Sequence, residues 1–314
     1  MENLRLIGKK LPPLPAEVLP TVPDWEHCDP SFIRRALKAA LARPDHGWYV
    51  LDGSRTITAQ PRLFQVDGKE LVAYRADGKV IVAGNACPHY GGPLAAGHMH
   101  DGKLVCPWHG LQLDERGHRH WQPLPVHDDG VLTWVKLGAG PDATAQPVLP
   151  PRPTNFIDAV IRHEGDCEAS DVIANRLDPW HGAHYHPHTF ARLVVTKIEI
   201  EELRVRVAYR VWRRWCVEVD ATFHVPDPRT IVMTIVDGEG VGSVVETHST
   251  PIAPGRSAVI EATLASSERP GFARAQKAAW LVRAFMKRAA RRLWVEDLAY
   301  AERQRRLREG LVGS

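Results

Sequence analysis

"CPHYGGPL" at residues 87–94 is answered by "CPWHGLQL" at 106–113, a Cys-x-His and a Cys-x-x-His on successive loops with sixteen residues between His89 and Cys106. Thiolates are soft anionic ligands and imidazoles neutral ones. Two of each suit either a tetrahedral zinc ion or an iron-sulfur cluster whose two irons sit in unlike surroundings. Zinc sites of this composition usually keep like ligands together. Here each loop supplies one Cys and one His, as is needed when one iron takes both thiolates and the other both imidazoles. Pro88 and Pro107 stiffen the loops, and Gly91, Gly92 and Gly110 let backbone amides come close to the sulfides.

The surroundings of the pair read as β structure. From Trp48 to about Lys136 short β-rich runs are separated by Asp-Gly at 67–68, 77–78, 101–102 and 129–130, the strongest short-range hairpin signal. Before this lie five prolines in 11–25, which predict an extended arm, and "DPSFIRRALKAALARP", which predicts a short helix stopped by Pro44. After it, the Gly- and Pro-rich "GAGPDATAQPVLPPRPTN" (138–155) reads as a linker. The expected organisation is an arm and helix over 1–45, a small β domain over 46–148 and a second domain over 149–314.

In the second domain a helical stretch around 167–186 precedes alternating segments: "VVTKIEIE", "LRVRVAYRVW", "CVEVDATFHV", "RTIVMTIVD" and "SAVIEATLAS". Period-2 alternation of this length predicts an antiparallel sheet with one buried face. From Phe272 to Glu309 the period becomes helical. Leu281, Phe285, Ala289 and Leu293 form one stripe, expected to cover the sheet, with Arg283, Lys287, Arg288 and Arg291 facing away. The fold class expected is α+β.

A second group of ligand-type residues lies in "NRLDPWHGAHYHPHTF" (175–190). Asn175, Asp178 and His181 recur at three-residue intervals, and His186 follows where Gly182 and Pro187 can bend the chain toward the same point. Two imidazoles with one distant carboxylate would make the facial triad of non-haem Fe(II), with positions left open for dioxygen. His184 and His188 are spare histidines, and spacing alone leaves His184 open as a ligand. For the carboxylate, "RRLWVEDLAYAERQ" offers Glu296 and Asp297 at comparable angles from the apolar stripe, so periodicity does not choose between them. Tyr300 and Gln304 continue that stripe.

The paired loops resemble the Rieske 2Fe-2S motif, and Asn-x-x-Asp-x-x-His-x-x-x-x-His resembles the mononuclear-iron motif of Rieske non-haem iron oxygenases. The resemblance covers about 46–136, 171–189 and 293–304. It implies a Rieske domain followed by a helix-grip, START-like catalytic domain. Cys87 and Cys106 would hold one cluster iron, His89 and His109 the other. His181, His186 and Asp297 would hold mononuclear iron, with Glu296 as the fallback and Asn175 and Asp178 as catalytic residues, Asp178 bridging a cluster His to His181. The resemblance further implies a homotrimer passing electrons between subunits. Among members, the chain looks most like single-subunit types such as ketosteroid hydroxylases and chlorophyll-pathway oxygenases. It departs at Leu111, where an aromatic residue is usual after His-Gly. The loops also lack the cysteine by which respiratory Rieske proteins add a disulfide, since Tyr90, Gly91 and Gly92 stand there.

The expected function is a terminal oxygenase that uses dioxygen to hydroxylate, demethylate or desaturate a hydrophobic small molecule. No dinucleotide or flavin signature is present, so a separate ferredoxin or NAD(P)H-dependent reductase is the expected electron source. The alternative is a Rieske electron-transfer or redox-sensing protein without oxygenase turnover. A net charge of +3 argues against nucleic acid as a partner. The basic face of the last helix reads as solvated, with an acidic partner or a membrane surface as alternatives. The first twenty residues lack the apolar block of a secretory signal, which predicts a cytoplasmic protein. Cys28, Cys167 and Cys216 show no motif spacing and read as buried free thiols.

Overall fold

A computed structural model describes residues 4–15, 18 and 24–312, so the arm expected over 11–25 lies partly outside the described residues. The chain begins with strand β1 (Arg5–Ile7) and helix α1 (Pro30–Leu41). Asp29 caps α1 by accepting from the backbone N–H groups of Ser31 and Phe32, and Pro30 stands in its first turn.

Nine short strands follow: β2 (Trp48–Gly53), β3 (Arg62–Val66), β4 (Lys69–Ala76), β5 (Lys79–Gly84), β6 (His98–His100), β7 (Lys103–Val105), β8 (Gln112–Leu113), β9 (Val126–Asp128) and β10 (Leu132–Lys136). They make three antiparallel sheets, β2-β10-β9, β3-β4-β5 and β6-β7-β8. Three of the four Asp-Gly pairs form two-residue hairpin turns, with both residues at positive φ at 67–68, 77–78 and 101–102. The fourth is a longer turn in which Asp129 caps the N–H groups of Val131 and Leu132.

The second half runs β11 (Ile157–Gly165), α2 (Ala169–Arg176), α3 (Gly182–Tyr185), β12 (Phe190–Ile198), β13 (Leu203–Trp212), β14 (Trp215–Asp227), β15 (Thr230–Gly238), β16 (Val244–Ala253), β17 (Arg256–Ala265), α4 (Phe272–Lys277) and α5 (Ala279–Arg308). Its antiparallel sheet has the order β11-β17-β16-β15-β14-β13-β12, and β1 adds in parallel to the start of β14. Neither β1, β11 nor β16 is among the segments read from alternation. β16 is buried almost throughout, so it does not alternate in polarity.

The two halves share an apolar interface. Trp48, Val50, Leu132 and Trp134 of the small domain pack on Ala258, Ile260, Ala262 and Leu264, one face of β17. At its edge the half-buried Arg152 lies between Asp129 (2.9 Å) and Glu246, joining the hairpin, the linker and the large sheet. On the opposite face of the large sheet, α1 contributes Phe32, Ala36 and Ala40 to a core with Ile173, Leu177 and Trp180. The lead-in helix is thus part of the second domain's packing. Truncating a fully buried Trp180 or Trp294 would cost about 3–5 kcal/mol.

The stripe on α5 corrects the sequence expectation. The residues that bury are Trp294, Asp297, Leu298 and Ala301, in the C-terminal half, where the helix lies on the sheet. Leu281 and Phe285 are 53% and 70% exposed, because the N-terminal half stands off the sheet over a cavity. Arg283, expected to face solvent, bonds instead to the backbone carbonyl and carboxylate of Asp158.

Candidate iron centres and substrate cavity

The two Rieske-like loops are built alike. Cys87 N–H donates to Gly92 and Gly91 N–H to Cys87; Cys106 N–H donates to Leu111 and Gly110 N–H to Cys106. Gly91 and Gly110 sit at φ +76° and +73°, a conformation that suits glycine. A Cβ on Gly92 would stand 3.0 Å from the Cys106 sulfur, so the loops meet closely only because that side chain is missing. Both thiols are buried, while His89 and His109 are exposed at the tip with ring centroids 4.8 Å apart. Burial pushes the Cys87 thiol up; at Cys106 the amides of Trp108 and His109 and the Cys87 thiol outweigh burial and hold it down. An inner pair of thiols and an outer pair of imidazoles fit a cluster with one sulfur-bound and one nitrogen-bound iron. Leu111 is half-buried against the core around Cys87 and Cys106.

The second group forms where α2 ends. The helix carries Asn175, Pro179 breaks it, His181 precedes α3 and His186 follows it. The expected helix over 167–186 is therefore two helices with a turn between them. His181 Nε2 lies 3.2 Å and His186 Nε2 2.9 Å from Asp297 Oδ1, and the three ligand atoms fall within 4.8 Å of one another. Asn175 Nδ2 also donates to Asp297 Oδ1, at 3.1 Å, while its buried Oδ1 has no partner. Two imidazole nitrogens and a carboxylate oxygen facing one point are the donor set of a divalent iron, so these residues fit that group.

Of the two acidic candidates, Asp297 faces both Nε2 atoms. Glu296 Oε2 lies on the other side of the His186 ring, 2.6 Å from Nδ1. Asp178 Oδ2 accepts from the Tyr300 hydroxyl (3.0 Å) and stands 3.5 Å from His181 Nδ1; its Oδ1 accepts from Trp180 N–H. Tyr300 also stacks on the His181 ring. Burial lowers the His181 pKa, but Asp178 and Asp297 outweigh it and bring the value up to about 9. Burial likewise opposes ionisation of Asp297, and the two histidines overcome it, holding that carboxyl well below its ordinary range. His184 is exposed and His188 half-buried, and neither joins the group. Gln304, on the expected inward stripe, is exposed. By α5 periodicity it falls past the turn where the helix leaves the site.

These residues open on a cavity of about 280 Å³ between the large sheet and α5. Val205, Val207, Phe223 and Met233 line it from the sheet, and Phe285 and Leu293 from the helix. Arg176 and Glu261 also lie on its wall and were not singled out in the sequence. Arg176 occupies the last turn of a helix, where cations are ordinary. Glu261 had a readable signal, a carboxyl on the inward face of an otherwise apolar strand. Among the other cysteines, Cys167 and Cys216 are buried and Cys28 half-buried, and none of the three forms a disulfide. Among the described residues no helix is long and apolar enough to cross a membrane.

Residues 138–311, more than half of the chain, match the profile of a domain of unknown function, DUF5914. The chain belongs to the DUF5914 family. Residues 47–134 match the Rieske 2Fe-2S domain, so this DUF5914 protein carries a Rieske cluster domain at its N-terminal side. Among curated proteins it is similar to the vanillate O-demethylase oxygenase subunit of a Pseudomonas species, 37% identical over 75 residues, which are 24% of this chain and 21% of that one. It is also similar to the dicamba O-demethylase oxygenase component of Stenotrophomonas maltophilia, 27% identical over 161 residues, 45% of this chain and 47% of that one. The chain thus spans less than half the length of these relatives. The fold is that of solved dicamba monooxygenase bound to dicamba (TM-score 0.62, 18% identity, 86% of this chain and 91% of that one). It is equally that of the terminal oxygenase of carbazole 1,9a-dioxygenase from Nocardioides aromaticivorans (TM-score 0.61, 14% identity, 90% and 91%). Together these findings give the DUF5914 chain the two-part make-up of a Rieske non-haem iron oxygenase terminal component, and the relatives it matches are named oxygenases and demethylases.

Proposed function

We propose that this protein is a terminal oxygenase that oxidises an apolar small molecule held beside a mononuclear Fe(II) bound by His181, His186 and Asp297. The observation that carries the reading is the meeting of those three side chains on the wall of an apolar cavity. Cys87, His89, Cys106 and His109 would hold the cluster. Bound iron supplies dioxygen activation there, and the cluster supplies single electrons.

The chain's own residues prepare that chemistry. Glu296 accepts from Nδ1 of His186 and so keeps Nε2 free as a donor to metal. Asn175 holds Asp297, and Asp178 orients His181 while Tyr300 holds Asp178 in turn. The apolar wall excludes water from the place of reaction. Electrons come from a separate ferredoxin or reductase. In a homotrimer, Asp178 would join the neighbouring subunit's cluster to His181.

Iron quantification and dioxygen uptake test the reading. About three irons per chain, two in the cluster and one mononuclear, with substrate-dependent dioxygen uptake supplied by a surrogate reductase, are expected. About two irons and no uptake would favour an electron-transfer or sensing protein.

A further inference from the structure

The cavity wall carries a guanidinium that, among the described residues, makes no ion pair. Arg176 is half-buried on the cavity wall, with its guanidinium carbon 5.5 Å from the ring centroid of Phe223. Its Nε is buried without a hydrogen-bond partner, and among the described residues the side chain enters no ion pair. Two other polar groups lie close enough to feel its field. Glu261 is turned elsewhere: its Oε2 accepts from Trp294 Nε1 at 2.6 Å, and burial pushes its carboxyl up against the pull of Arg176. Among the described residues the Tyr209 hydroxyl donates only to the thioether of Met233, at 3.6 Å, a weak acceptor. Burial pushes its phenol up to about 12 although Arg176 pulls the other way, so it remains a donor.

A charge in an apolar wall is costly unless it is paired. Here the protein supplies a cation and a hydroxyl donor, and its own nearby carboxyl makes no ion pair with that cation and is turned to Trp294. We propose that the substrate is an apolar molecule bearing a carboxylate, and that Arg176, with the Tyr209 hydroxyl as second donor, selects it. This deepens the oxygenase reading and rests on the cavity being the substrate site. A guanidinium pairs a carboxylate in a planar, two-point contact that an amide does not reproduce, so the discrimination lies between charged and neutral forms of one skeleton.

The test is calorimetric binding to the holoprotein of two matched pairs, 2-naphthoate with 2-naphthamide and decanoate with decanamide. In at least one pair the acid is expected to bind about tenfold or more tightly than its amide. Arg176→Gln should remove that preference while leaving amide affinity within about twofold, Arg176→Lys should keep part of it, and Tyr209→Phe should reduce it. Equal binding within both pairs in the wild-type protein, no binding of any of the four, or a preference that survives Arg176→Gln overturns the inference. The wild-type comparison decides without any variant having to fold. Iron content of the same preparations separates the two readings: a carboxylate preference with only the cluster iron present leaves the ligand class standing and removes the oxygenase.

Discussion

Glu296 and Asp297 hold opposite edges of one imidazole: Glu296 Oε2 lies 2.6 Å from Nδ1 of His186, and Asp297 Oδ1 lies 2.9 Å from its Nε2. Adjacent residues on a helix diverge by about 100°, and the ring is wide enough to be gripped by both. In the proposed reading the pair divides one task, Asp297 serving as a ligand to the metal and Glu296 fixing the tautomer of His186, one of its two histidine ligands.

Asp297→Ala should empty the mononuclear site while leaving the cluster spectrum unchanged. Glu296→Gln should weaken iron retention by about 10- to 100-fold, the usual effect of losing a carboxylate behind a ligating histidine. Iron content after dialysis against a graded chelator reads both. Equal and complete loss in the two variants would mean that Glu296 is itself a ligand.

Asp178→Asn keeps the shape of the side chain and removes the charge next to His181. Both iron sites should stay loaded, and reoxidation of the reduced cluster in a single turnover with substrate and dioxygen should slow by orders of magnitude. Tyr300→Phe removes only the hydroxyl that restrains Asp178 and should slow it much less. A wild-type rate in Asp178→Asn would show that electrons take another route.

In protein freed of mononuclear iron, His181 carries a pH signature. Its folded value is raised to about 9 from 6.5, so the stabilisation from its protonated form is full below 6.5 and is lost as pH rises through 9. The melting temperature of this form should fall across that interval. Protons and metal compete for the same nitrogen, so divalent metal binding should strengthen over the same interval. Titration of melting temperature against pH, with and without Co(II), checks both signs.

Arg152 lies between Asp129 and Glu246 at the junction of the two domains. Arg152→Ala leaves the buried Glu246 and the half-buried Asp129 without their shared guanidinium and should destabilise the fold by about 3–5 kcal/mol, measured by denaturant unfolding. Burial opposes ionisation of Glu246, yet Arg152 and His248 hold its carboxyl below the ordinary range. Its contribution is therefore present above that ordinary value and lost as pH falls through the lower one, so the variant and wild type should converge in acid.

What the sequence made legible is what depends on neighbours in the chain. The loops around Cys87 and Cys106 announce themselves because both metal-type ligands and the turn-forming glycines are local, and the Asp-Gly hairpins do so for the same reason. His181 and His186 are equally local. Asp297 is the long-range member: the helix face is readable, but which of two adjacent carboxyls meets the histidines depends on how α5 lies on the sheet. That crossing also leaves Phe285 over a void and Gln304 in solvent. β16, buried on both faces, and β1, three residues long, lack the alternation by which β12–β15 and β17 were found. Arg176 was invisible because a cation at a helix end needs no special explanation until its surroundings are known.

Helix α5 carries Phe285, Met286, Ala289 and Leu293 on the cavity and, farther along, Asp297 and Tyr300 at the proposed iron position. Twelve residues separate Phe285 from Asp297, about 18 Å of one rigid rod. The sheet side of the cavity is anchored independently by its ladder of strands. Anyone remodelling this protein for a new compound thus faces two unequal walls. Substitutions at Val205, Val207 or Phe223 reshape the chamber alone, whereas bulk added at Ala289 or Leu293 tilts the rod that also aims Asp297 at the two histidines.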